Sequence, residues 1–354
     1  MNAQKLLLNW YQINKRDLPW RNTKDPYLIW LSEVILQQTR VAQGMPYFLK
    51  FAQTYPRVQD LAKASEEDVL KLWQGLGYYS RARNMHHTAK YIAENLNGVF
   101  PNNYFGLIQL KGIGSYTAAA IASFAFKEAV AVLDGNVFRV LSRFYAQNEP
   151  INSSLGKKLF SNLAADFLNH KSPDIHNQAL MELGSLVCTP SKPNCVDCPI
   201  SASCLAFLIS NPENFPSKIK KKAPTTRYFN YFLLKVNKQF AFVKRPSGDI
   251  WQNLYELPLY ETENPLNLAK LPVSLLTEPW FRPKHKPKLM YNLKHILTHQ
   301  RIEASFFEID LNSKEMPLVE AQWFDKSSYK SLPISRLTEK FFDLLYSSEG
   351  DVPL

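Results

Sequence analysis

Two hydrophobic rhythms divide this chain. Up to about residue 210 the apolar positions recur every three or four residues, the period of helices with a buried face. Leu6, Leu7, Leu8, Trp10 and Tyr11 open the chain this way, and Asp25-Pro26-Tyr27 starts a second run through Trp30, Leu31, Val34, Ile35 and Leu36. Further helices are expected over 42–53, 66–73, 81–96, 137–146, 153–168 and 175–187, with an alanine-rich apolar stretch at 116–126. Beyond residue 226 the pattern turns alternating and β-rich. Strands are expected at 228–236, 239–244, 289–298 and 302–310, and helices at 275–280 and 333–346. Between the rhythms lies NPENFPSKIKKKAPTT, rich in proline and lysine and poor in apolar residues, which reads as a linker. The expected organisation is therefore multidomain: an all-α domain over 1–210, a linker over 211–226, and an α+β domain over 227–354.

Composition narrows the class of partner. The 354 residues suffice for two cores, and 45% hydrophobic with 21% charged residues describes a globular chain rather than a disordered one. Lysine and arginine exceed aspartate and glutamate by 42 to 31, a net charge of +11 that favours a polyanion. The opening MNAQKLLLNWYQINKRDLPW lacks the long apolar run of a signal peptide, and no window reaches the length of a membrane span. A cytoplasmic protein without a membrane partner is the expectation.

Five groups of residues carry candidate chemistry. Gly112 and Gly114 separate two helical segments, and a turn that tight calls for residues without a Cβ. On its own such a Gly-x-Gly is an interhelical turn, but the free N–H groups at the following helix start would also receive phosphate, with Lys111 beside them. Asp134 follows some twenty residues later, within Leu-Asp-Gly-Asn-Val; Asn136 either orients a bound base or water, or caps a helix starting at Val137. Glu33 lies among apolar neighbours, where burial raises a carboxyl pKa toward the range of a proton donor; a solvent-facing or paired glutamate is the plain alternative. In Gly75-Leu76-Gly77-Tyr78-Tyr79-Ser80-Arg81, aromatic and arginine side chains suit wedging between bases and gripping phosphate; a plain loop with core tyrosines is the alternative. Finally, Cys188, Cys195, Cys198 and Cys204 fall within seventeen residues, a set able to complete a zinc site or an iron–sulfur cluster.

Together these motifs resemble a known family. Leu110-x-Gly112-Ile-Gly114-x-Tyr116-Thr-Ala followed by Leu-Asp134-Gly-Asn136-Val-x-Arg-Val is similar to the helix-hairpin-helix DNA glycosylases and implies that Asp134 is their catalytic aspartate. Leu18-Pro19-Trp20-Arg21 and Trp30-x-Ser-Glu33-Val-Ile-Leu-Gln37-Gln38-Thr39-Arg-Val resemble adenine-specific members, the MutY type. There Glu33 matches the general acid, and Gln37, Gln38 and Thr39 the DNA-facing end of its helix. The resemblance assigns Tyr78 to the wedge beside the damaged base, Tyr79 to its buried partner, and Arg81 to the DNA. The C-x6-C-x2-C-x5-C spacing is that of relatives holding a structural [4Fe–4S] cluster. Arg245-Pro246 and Ile250-Trp251-Gln-Asn-Leu-Tyr-Glu256-Leu-Pro resemble a C-terminal Nudix-like domain, but no glutamate cluster follows Glu256, so the domain should recognise rather than hydrolyse. His295-Ile-Leu297-Thr298-His299 matches the segment that reads 8-oxoguanine, usually Phe-Ser-His, with Leu297 in place of the aromatic.

What the resemblance implies is excision of adenine mispaired with 8-oxoguanine or guanine in double-stranded DNA, by a monomer that flips the base out. Glu33 would protonate the adenine, Asp134 would stabilise or bond transiently to the sugar, and Tyr116 would position one of the acids. Relatives that also cleave the strand carry a nucleophilic lysine where this chain has Tyr116, so base removal without efficient cleavage is expected. Lys111 replaces the proline more usual in the hairpin. The alternatives are a strand-cleaving glycosylase acting on oxidised pyrimidines, and an iron–sulfur nucleic-acid-binding protein whose catalysis has lapsed.

Overall fold

The computed structural model describes residues 2–219, 223–278, 281–282, 284, 286–311, 321–326 and 328–348. Lys220, Lys221 and Lys222 of the expected linker, the Trp280 end of one expected helix and residues 349–354 of the expected second domain lie outside the described residues. The chain forms two compact units, one of Met1–Lys63 with Asn84–Lys221, the other of Ala64–Arg83 with Lys222–Leu354.

The first unit is helical. Its α-helices are α1 (Ala3–Asn14), α2 (Pro26–Leu36), α3 (Val41–Thr54) and α4 (Val58–Lys63). α5 (Glu66–Trp73) belongs to the second unit, and α6 (Ser80–Asn95) runs from one unit into the other. The first unit continues with α7 (Tyr104–Leu107), α8 (Ser115–Phe126), α9 (Gly135–Phe144), α10 (Ser154–Phe167), α11 (Pro173–Leu186) and α12 (Leu205–Leu208). Starts are marked by side-chain caps: Asp25 accepts from Tyr27 N, Asn103 from Gly106 N and Ser153 from Gly156 N. α2 and α8 pack together and are apolar nearly all round, which places them in the interior. A second core joins α1 to α9, α10 and α11 through Leu7, Val140, Phe160 and Leu183. Helix limits agree with the periodicity to within about two residues, with one instructive difference. The helix expected from Val137 begins at Gly135, so its cap is Asp134 and not Asn136.

Among the described residues the second unit contains a seven-stranded mixed sheet: β1 (Thr225–Val236), β2 (Gln239–Lys244), β3 (Tyr255–Glu256), β4 (Leu259–Thr262), β5 (Lys288–Ile296), β6 (Gln300–Asp310) and β7 (Gln322–Asp325). The central order is β3-β2-β1-β6-β5, with β4 paired to β1 and β7 to β2. β1 runs parallel to β6 from Thr225↔Gln300 to Lys235↔Asp310, and the other pairings among the described strands are antiparallel. Phe229, Tyr231 and Leu233 of β1 face one core and Phe232, Leu234 and Val236 the other, so both faces are buried and the strand reads as nearly continuous apolar sequence. Helix α14 (Arg336–Ser348) overlaps the one expected at 333–346, and α13 (Val273–Leu276) overlaps only the start of the one expected at 275–280. Ser335 accepts from Thr338 N and sets the start of α14. Phe341 of α14 stacks on Phe306 of β6 with ring centroids 4.2 Å apart.

Ala64–Arg83 joins this second unit although it lies within the expected all-α stretch. Asn253 Nδ2 donates to Glu66 (2.5 Å), Lys71 Nζ to the Leu332 carbonyl (3.0 Å), and Arg83 to the Gln252 carbonyl (3.0 Å).

Candidate active site

Glu33 sits near the end of α2 and is only 6% exposed. Burial drives its pKa from the ordinary 4.5 to about 7; the Tyr116 hydroxyl, donating to Glu33 Oε2, opposes that rise, and the negative charge of Asp134 adds to it. Tyr116 stands in the first turn of α8, so the turn carrying the glycines also delivers the hydroxyl that fixes the acid.

Asp134 is held differently. As N-cap of α9 it accepts from Val137 N (2.7 Å) through Oδ1 and from Asn136 Nδ2 (2.8 Å) through Oδ2. Burial raises its pKa, and these donors, which favour the ionised form, work against the rise. Asn136 is aligned by Arg139, whose Nη2 donates to Asn136 Oδ1 (2.9 Å) and to the Gly184 carbonyl (2.6 Å). Arg139 Nε donates to the Cys188 carbonyl (2.7 Å), so hydrogen bonds run unbroken from the cysteine segment to Asp134.

Glu33, Tyr116, Asp134 and Asn136 line one cleft of about 180 Å³, an order of magnitude beyond the space one water needs. Thr39 also lines it. On the α11 side stands Glu182, fully buried and gripped by Arg16 (2.5 and 2.9 Å) and Arg21 (2.8 and 3.0 Å). Burial alone would raise the Glu182 pKa, but hydrogen bonds from the two arginines hold it at about 2. The cleft thus contains one carboxylate that its arginines hold ionised and, in Glu33, one that exchanges its proton near neutrality. Glu182 was not among the sequence candidates; its neighbours on the helical face, Gln178 and Ser185, are polar too, so no local signal marked it.

The hairpin glycines are not equivalent. Gly112 has φ +79°, and a Cβ there would lie 2.6 Å from Asn84 Cβ, so only glycine fits. Gly114 has an ordinary extended backbone and open space around it, which corrects the expectation that the turn itself requires glycine at both places. What Gly114 leaves is an unobstructed approach to the N-terminus of α8. Lys111 is exposed, and its carbonyl accepts from Thr88 Oγ1 (2.6 Å). Gln37 and Gln38 follow the end of α2; Gln37 donates to Thr117 Oγ1 (3.3 Å), and Gln38 has a left-handed backbone.

In the second unit Tyr78 is exposed on its loop and Tyr79 is buried. Arg81, expected to grip phosphate, is turned inward. Its guanidinium lies 4.9 Å from the Trp73 ring and donates to the Leu76 and Gly77 carbonyls, bracing the loop. Thr298 was expected at the end of a strand over 289–298, with His299 just beyond it. β5 stops at Ile296, and both residues are exposed in the turn to β6, closed by Leu297 N donating to the Gln300 carbonyl (2.8 Å). The Thr298 hydroxyl is hydrogen-bonded to that of Tyr78.

All four cysteines line one cavity of the first unit. Arg143 donates to Cys188 Sγ (3.3 Å), and backbone N–H groups of Ile200 and Phe207 face the sulfurs of Cys198 and Cys204. Burial lifts the free Cys198 thiol to about 12, so ionisation there needs a compensating positive centre. No three His, Cys, Asp or Glu side chains among the described residues are gathered as a single-ion site. The donor set, four thiols with N–H groups and a guanidinium directed at sulfur, fits a thiolate-bound cluster.

A family profile described as HhH-GPD superfamily base excision DNA repair protein matches residues 31–164, and a NUDIX domain profile matches 230–344. The adenine DNA glycosylase of Buchnera aphidicola subsp. Schizaphis graminum is 33% identical over 360 residues, covering 96% of this chain and 97% of that one. The chain belongs to the adenine DNA glycosylase family. The Arabidopsis thaliana member is 39% identical over 292 residues, 71% of this chain but 46% of that longer protein. Among solved structures, a thermostable thymine-DNA glycosylase superposes with a TM-score of 0.54 at 28% identity, covering 58% of this chain and 95% of its own. Members of this family are hydrolases of N-glycosyl bonds, acting on adenine in base excision repair.

Proposed function

We propose that this glycosylase excises adenine paired with 8-oxoguanine, and with guanine, from duplex DNA as a monomer, with Glu33 as general acid. The observation carrying this reading is a glutamic acid poised at about 7 in the same cleft as a hydrogen-bonded aspartate. The flipped nucleotide occupies the cleft. The Glu33 proton passes to the adenine ring at N7, the glycosidic bond breaks with its electron pair going to the base, and neutral adenine leaves. Positive charge on the sugar is met by the Asp134 carboxylate, in the manner of paired carboxylates at sugars. Water then adds at the sugar carbon and gives its proton to Glu33, now a base. The Tyr116 hydroxyl fixes Glu33 and supplies no amine, so no Schiff base forms and the strand stays intact.

The exposed Thr298 hydroxyl and His299 imidazole suit the N7–H and O8 edge that separates 8-oxoguanine from guanine, and Tyr78 on its loop suits the wedge. Gly112, Gly114 and Lys111 meet phosphate, with Gln37, Gln38 and Thr39 near the DNA. Cys188, Cys195, Cys198 and Cys204 would hold a [4Fe–4S] cluster that ties the segment together and takes no part in hydrolysis.

Single-turnover assays on duplexes holding adenine opposite 8-oxoguanine or guanine test the reading. Glu33→Gln should bind the mispair and lose excision; retained turnover overturns its role. Thr298→Ala with His299→Ala should lower the preference for 8-oxoguanine over guanine while leaving excision opposite guanine intact, and an unaltered preference removes these residues from recognition.

A further inference from the structure

We infer that Gly184 is a positioning residue that sets the width of the catalytic cleft by letting α11 pack against the Asp134–Asn136 turn without an intervening side chain. The inference rests on the proposed role of Asp134. One face of α11 walls the cleft, since Gln178, Met181, Glu182 and Ser185 follow the spacing of a single helical face. The opposing wall holds Asp134 and Asn136. Gly184 stands where the two meet: a Cβ built there would fall 2.6 Å from Asn136 Cβ and 3.1 Å from both Asn136 Cα and its carbonyl oxygen. Two of these atoms are backbone, so no rotamer change relieves the overlap. Nor does φ call for glycine here, because Gly184 lies inside a regular helix. Its reason is the approach alone.

That approach is also bonded. Arg139 reaches the Gly184 carbonyl and the Asn136 side chain with the same nitrogen, joining both walls and the amide that holds Asp134. Restoring ordinary contact at 3.4 Å requires a displacement of about 0.8 Å. α11 must then move out, carrying Glu182, or the Asn136 amide must withdraw from Asp134. A misplacement near 1 Å in a preorganised site costs on the order of 100-fold in rate.

The test is a mutant cycle of full-length Gly184→Ala, Asn136→Gly and the double variant, scored by single-turnover excision, by affinity for a duplex bearing an uncleavable adenine analogue, and by thermal midpoint. Gly184→Ala is expected to slow excision by about 10- to 100-fold with affinity retained. In the Asn136→Gly background, which removes the atom at 2.6 Å and leaves only the two backbone contacts at 3.1 Å, the same change should cost less in rate and in stability than it does in the parent. Wild-type excision by Gly184→Ala, or independent multiplication of the two effects, overturns the inference. If Gly184→Ala does not fold, recovery of soluble protein in the double variant supports it and failure to recover refutes it. Undiminished excision by Asn136→Gly would instead count against the assignment of Asp134, separating the two failures.

Discussion

Replacing Glu33 by glutamine separates the needs of catalysis from those of folding. Burial raises the Glu33 pKa from 4.5 to about 7 in the native protein, while the unfolded chain keeps the ordinary value. Below pH 4.5 both states hold the proton. As pH rises toward 7 the unfolded state ionises first, so the contribution to stability declines, and above 7 the loss is complete. A difference of this size corresponds to about 3 kcal/mol. The Glu33→Gln variant has nearly the same shape and nothing to ionise, so it escapes that loss. Its stability relative to the parent should therefore widen by about 2 to 3 kcal/mol between pH 5 and pH 8.5. For a unit of 150 to 250 residues this is roughly 5 to 10 °C in midpoint. Thermal unfolding of both full-length proteins, followed by helical circular dichroism across that range, measures it. A gap independent of pH, or one that narrows toward alkaline pH, would refute the claim that the native site keeps this carboxyl protonated near neutrality.

Two other outcomes follow from the same geometry. Tyr116→Phe removes a donor that favours the ionised Glu33, so the alkaline limb of the pH–rate profile should move up by roughly one to two pH units; an unmoved limb would deny the coupling. Gly112→Ala forces a side chain into a left-handed backbone against Asn84 and should cost about 1 to 3 kcal/mol of stability. Gly114→Ala should keep its thermal midpoint and instead weaken binding to undamaged duplex DNA in fluorescence anisotropy. Loss of stability without loss of affinity in the latter would show that the open space is not a phosphate approach.

Much of the catalytic unit was legible in the sequence because its signals are local. Glu33 stands out as a charge inside an apolar helix, the four cysteines by their crowding, and Gly112 by its place between two helices. What stayed hidden depends on contacts across long stretches of chain. Glu182 acquires its meaning only from Arg16 and Arg21, which lie more than 160 positions away. Arg81 looked like a surface cation until Trp73 and two carbonyls of its own loop proved to be its partners. Asp134 and Asn136 are both good capping residues, and spacing alone could not say which of them does the capping. The strands β3, β4 and β7 are two to four residues long, too short for an alternating pattern to register.

The placement of Ala64–Arg83 has a practical consequence. The HhH-GPD profile spans this segment, yet its packing partners come from the C-terminal half, and the Tyr79 hydroxyl reaches the Ile334 carbonyl 255 residues downstream. A chain cut at residue 210 would keep Glu33, Asp134 and the four cysteines, but it would strip α5 of its partners Lys244, Asn253 and Leu332 and deprive the Tyr79 hydroxyl of Ile334. Dissecting this enzyme into halves is therefore not a neutral operation, and a weakly active N-terminal fragment would report on a damaged scaffold as much as on the missing C-terminal strands.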